Sequence, residues 1–142
     1  LASRSISAAP APIVPLVSTA RTRGPISSST GSEAIGFEAL RSAQSELGRR
    51  ARGILAAKGF RSVAASGFQA PCVIVSYTRD TDIVKRFADA GVQVAAGVPL
   101  MCGEPDDYCA FRIGLFGLDK LTDIDGTVVR LEHALDQAMS AG

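Results

Sequence analysis

The stretch that most constrains the fold is Phe111-Arg112-Ile113-Gly114-Leu115-Phe116-Gly117. With a period of two, Phe111, Ile113 and Leu115 share one face of a strand, and Arg112 and Gly114 fall on the other. An arginine inside an apolar strand is costly to bury unless its guanidinium finds a partner. Two readings of Arg112 follow. In one it reaches solvent or pairs with Asp119 or Glu104. In the other its planar fork is open to a carboxylate ligand, held by two parallel N–H···O bonds. Gly114, with no side chain, would let a ligand or another backbone come close beside it.

A chain of 142 residues with 46% hydrophobic content is sized for one globular domain with its own core. The charges nearly cancel, at 15 basic against 14 acidic side chains. That balance argues against nucleic acid, which calls for a clustered basic face. No apolar run approaches the roughly 18 residues of a spanning helix, so no membrane partner is expected. Cys72, Cys102 and Cys109 are an odd set without C-x-x-C spacing, and the single histidine, His133, falls on a separate helix. No metal site is expected from them. Free thiols in a reducing, cytoplasmic setting are the simpler expectation.

Residues 1–34 read differently from the rest. Pro10, Pro12, Pro15 and Pro25 punctuate Ala, Ser and Thr without any sustained period, which predicts a disordered or non-native segment. Its Arg- and Ser-bearing, acid-poor composition also resembles an organellar transit peptide. From residue 32 to 58, Leu40, Leu47, Ala51, Ile54 and Leu55 form a helical stripe. Gly48 and Gly53 each weaken that helix by about 1 kcal/mol relative to Ala, which points to a bend or to close packing. Gly59 after Lys58 is a helix stop.

A β-branched strand is predicted at 73–77 behind Pro71. Thr78 or Asp80 then caps a helix over 81–90, with Ile83, Val84, Phe87 and Ala88 inward. A second strand is expected at 92–96, a loop at 97–108, and the arginine strand at 111–115. Thr122 and Asp125 resemble a capping box for a last helix, whose stripe is Ile124, Val128, Leu131, Leu135 and Met139. His133 falls between stripe positions, as a surface residue. The order helix, strand, helix, strand, strand, helix predicts an α/β (α+β) two-layer sandwich. Its three-stranded mixed sheet would be split-βαβ-like. The arginine strand would sit between the other two and antiparallel to both, with the helices on one face.

Three blocks carry a resemblance. Phe111 to Leu121, the run Gly67-Phe68-Gln69-Ala70-Pro71-Cys72-Val73-Ile74-Val75-Ser76-Tyr77-Thr78, and Ala95-Ala96-Gly97-Val98-Pro99-Leu100 stand in the order found in the C-terminal small domain of class V pyridoxal-phosphate (PLP) aminotransferases, the alanine–glyoxylate and serine–pyruvate group. The resemblance covers about residues 36–141. It implies the small domain of a fold-type I PLP enzyme over 35–142, with the large PLP-binding domain absent. It also implies that Arg112 binds the carboxylate of an amino acid or 2-oxo acid substrate, and that loop 97–103 edges the active site. The full-length enzyme would be a homodimer that moves an amino group between alanine or serine and glyoxylate or pyruvate.

None of the three lysines, Lys58, Lys85 and Lys120, matches the family's Schiff-base lysine, and no glycine-rich phosphate loop opens a helix. PLP is therefore expected in the full-length enzyme and not on this chain, which alone should be inactive. No catalytic residue is assigned. Two further readings stay open: a small-molecule binding module for amino acids, and a structural or dimerisation domain in which Arg112 pairs internally.

Overall fold

The computed structural model describes residues 36–140, so the segment 1–34 and the expectations placed on it lie outside the described residues. Seven elements follow one another. They are α1 (Phe37–Ala57), β1 (Val73–Tyr77), α2 (Ile83–Asp89), β2 (Ala95–Ala96), β3 (Ala110–Gly114), α3 (Leu118–Thr122) and α4 (Ile124–Ser140). The sheet order is β1-β3-β2. Both hydrogen-bonded pairings are antiparallel, Val75 standing opposite Arg112 in one and Ala95 opposite Arg112 in the other. The outer strands therefore run in the same direction with β3 between them, as the pattern predicts. The expected mixed sheet is thus antiparallel in every pairing, because the two parallel strands are not neighbours.

Period-two alternation divides the sheet into a covered and an open face. Ile74 and Ser76 of β1 and Phe111 and Ile113 of β3 are buried, while Val73, Val75, Tyr77, Arg112 and Gly114 are partly or fully open. Phe111 is the hub of the core. The Phe60 ring stands edge-on to it at 5.2 Å, and Phe87 lies tilted at 5.6 Å. Leu47, Ala51 and Leu55 of α1, Phe87 of α2, and Leu131 and Leu135 of α4 close the layer. Burial of one such large side chain contributes about 1.5–3 kcal/mol.

Several local expectations are corrected. The second strand is only Ala95–Ala96, because the Val92 N–H is spent on Phe87 O (2.8 Å) at the end of α2. Strand β3 begins one residue early, at Ala110. Thr78 and Asp80 do not cap α2. The Thr78 hydroxyl accepts the Asp80 N–H (3.0 Å) and the Asp80 carboxylate accepts the Asp82 N–H (2.8 Å), and these two turns lead in to the helix. Neither does Thr122 cap α4. Its hydroxyl donates to the Leu118 and Asp119 carbonyls within α3, and Asp123 takes the capping place by accepting the Gly126 N–H at 2.9 Å. At the far end Ala138 is buried and Met139 is 43% exposed, so the stripe of α4 turns away from the predicted residue.

Helix α1 is stitched to the start of β1. Gln44 Nε2 donates to Pro71 O (3.2 Å) and Leu115 O (3.3 Å), and the Arg52 guanidinium donates to the carbonyls of Ala70 and Val73. Gly48 permits this approach, since a Cβ there would collide with Pro71 O. Gly53 meets open space. Close packing thus explains one of the two glycines and nothing in the structure explains the other. Among the described residues no helix is long and apolar enough to cross a membrane.

Candidate functional site

On the open face of the sheet lies a shallow cavity of about 430 Å³, lined by Val73, Gln93, Val94, Ala95, Arg112, Gly114 and Phe116. Each strand gives it something. Strand β3 supplies Arg112 and Gly114 on alternate positions, β1 supplies Val73, and β2 with the residues before it supplies an apolar flank. Val75 and Ala95 stand directly opposite Arg112 on either side. Both neighbours are small and uncharged, so the guanidinium leaves the sheet between apolar walls.

Arg112 is exposed. Among the described residues no carboxylate lies within 4.0 Å of it and no side-chain hydrogen bond engages it. The two acids the sequence offered as partners are turned elsewhere. Asp119 lies 3.5 Å from Lys120 Nζ. Glu104 accepts the N–H groups of Leu100 and Cys102, both at 2.8 Å. Backbone N–H groups, its own first and then those of Leu100 and Cys102, hold the Glu104 carboxyl below its ordinary value of 4.5. The acid is thus committed to shaping the loop and does not reach the arginine.

Gly114 lies on the cavity wall beside Arg112. A Cβ built there would meet only the Phe116 ring, at 3.3 Å, so its absence keeps the cavity open and is not demanded by packing. Phe116 was not picked out from the sequence as a cavity residue. Its 53% exposed ring walls the cavity, and its place two residues after Gly114 was the available signal. Loop 97–103 shows Val98, Leu100 and Met101 well exposed but contributes nothing to the lining of this cavity.

The lysines do not converge on the cavity. Lys58 pairs with Asp136 and Lys85 with Asp89 at 2.9 Å, both on helix surfaces. Lys120, within α3, is 2% exposed. The described residues therefore do not fit PLP, having no amine in the cavity to bond it covalently. His133 is exposed on α4, and the three cysteines are free. No group of three or more metal-ligating side chains gathers among the described residues.

No protein-family model matches the chain, and no curated protein matches it. Among solved structures, the chain is similar to Sphingomonas wittichii serine palmitoyltransferase at 16% identity and a TM-score of 0.48, over 72% of this chain and 26% of that one. It is also similar to a high-resolution structure of SPT with a PLP internal aldimine, at 14% identity and a TM-score of 0.48, over 75% of this chain and 27% of that one. The chain thus spans about a quarter of the length of either.

Proposed function

We propose that residues 35–142 are the small domain of a PLP-dependent transaminase, and that Arg112 orients the carboxylate of an amino acid or 2-oxo acid substrate in the complete enzyme. The observation that carries this reading is an arginine rooted between apolar neighbours at the wall of a cavity, with both nearby candidate acids engaged elsewhere. The resemblance of three ordered sequence blocks to class V aminotransferases supports it independently. Alanine or serine as donor and glyoxylate or pyruvate as acceptor are the substrates of that reading, and a homodimer is its assembly.

The contribution of this chain is positional. Two parallel N–H···O⁻ bonds from one guanidinium fix both the place and the plane of a carboxylate. Val75 and Ala95 flank the arginine with uncharged side chains that offer the fork no competing acceptor, and Gly114 would leave room for the substrate backbone. PLP would supply the electron sink for the chemistry from a domain that carries its lysine.

A charge-assisted bidentate contact contributes roughly 1.5–3 kcal/mol. In a polypeptide joining this chain to a lysine-bearing large domain, Arg112→Lys should lower kcat/KM for amino acids more than tenfold, because a point charge replaces the fork. An unchanged kcat/KM would remove the role.

A further inference from the structure

The basic side chains of the described region sort into three groups. Eight of the twelve lie within 4.0 Å of a carboxylate. Arg52 is turned onto the carbonyls of Ala70 and Val73. The last three, Arg61, Arg79 and Arg112, have no acidic partner among the described residues, and every one of them lines a cavity. Arg112 belongs to the sheet cavity. Arg61 and Arg79 belong to a second one, of about 570 Å³, at the C-terminal end of β1.

That second cavity is lined by Lys58, Gly59, Phe60, Arg61, Tyr77, Thr78 and Arg79, with no acidic side chain. Two neighbouring acids, one bonded to the lining Lys58 and one next to Arg79 in the chain, are already paired, while the Asp82 carboxylate, three residues beyond Arg79, lies outside the lining. Asp136 pairs with Lys58, and Asp80 lies 3.1 Å from Arg86 Nε. Arg61 is held in place by two features. Its carbonyl accepts the Tyr77 N–H at 2.9 Å, beside an antiparallel bridge of Ser62 to Ser76. Its guanidinium lies over the Tyr77 ring, 4.6 Å from the centroid, and Tyr108 braces that ring edge-on at 5.8 Å. A guanidinium held over an aromatic face by cation–π attraction can still offer N–H groups to an anion.

We propose that this cavity binds a small phosphorylated molecule through its phosphate group. A phosphate ester carries close to two negative charges at neutral pH and accepts forked hydrogen bonds. Two arginines without an ion pair among the described residues, lining a hollow that has no acidic side chain in its wall, match that charge. The volume exceeds what a bare phosphate fills and is typical of sites for small organic ligands. Phe60 and Tyr77 give the organic part an aromatic wall. The site stands apart from the carboxylate role of Arg112 and does not depend on it.

The test is an amide NMR titration of the 142-residue chain with phenyl phosphate and, separately, with inorganic phosphate, phenol serving as the uncharged control. Saturable shifts are expected at Arg61, Tyr77, Thr78 and Arg79 with both phosphates and not with phenol. Arg61→Gln and Arg79→Gln should each weaken phenyl phosphate at least fivefold. Arg49→Gln, which removes an equal charge from the exposed surface of α1, should leave the affinity unchanged. Tighter binding of the phenyl ester would assign part of the affinity to the aromatic wall, and equal binding would assign it to the phosphate alone; both outcomes uphold the site. Absence of saturable shifts at these residues would overturn it, as would equal weakening in Arg49→Gln. The unperturbed remainder of each variant's spectrum reports that it is folded.

Discussion

At the scale of single residues, everything turns on where two carboxylates point. Alternation along residues 111–117 suffices to place Arg112 on the face opposite Phe111 and Ile113, and the sheet agrees. Whether the guanidinium is engaged was not legible, because that depends on the turns around Glu104 and Asp119. Loop conformation sends the first to the Leu100 and Cys102 amides and the second toward Lys120. Lys120 escaped the reading for a related reason. Leu118–Thr122 is a five-residue helix, too short to show a period, so nothing in the sequence marks its lysine as buried. Since Arg112 is exposed and has no side-chain partner among the described residues, Arg112→Met should change the unfolding free energy by less than about 0.5 kcal/mol. Urea denaturation measures this. A loss well above 1 kcal/mol would reveal an internal partner and favour the structural reading of the arginine.

Among the elements, the long periodic ones were legible and the short or borrowed ones were not. Strand β1 and the stripes of α1 and α4 stand close to where the pattern puts them. Strand β2 is shorter than its apolar run, because Val92 and Val94 are buried core residues off the ladder. The cap of α4 passes from Thr122 to Asp123 because α3, unseen in the pattern, claims the threonine hydroxyl. Two glycines in α1 test how this helix is seated. Gly53→Ala should raise stability by about 0.5–1 kcal/mol, as expected for a helix position that meets open space. Gly48→Ala gains the same propensity yet should lower stability by more than 1 kcal/mol, since its methyl group would strike the Pro71 carbonyl. Thermal or urea unfolding of the pair separates the effects. Stabilisation by both would mean that α1 does not approach the entrance of β1 so closely.

For the molecule as a whole, helices cover one face of a three-stranded sheet, and the other carries a cavity, an arginine and the exposed Phe116 ring. That division was legible because a period of two in β1 and β3 and helical periods around them leave few other arrangements. The second cavity was not legible, because Arg61 and Arg79 line one hollow only once Ser62 bridges to Ser76, a long-range pairing with no periodic signal. The central claim is that a carboxylate seats on Arg112, and pyruvate titrated into the 142-residue chain under NMR observation tests it most directly. One bidentate contact without the rest of an active site supports only weak affinity, in the millimolar range or weaker. Shifts are expected at the Arg112 side-chain N–H and at the amides of Ala95 and Gly114, and they should vanish in Arg112→Met. No shift at these positions in tens of millimolar pyruvate, or shifts that survive in Arg112→Met, would contradict the account.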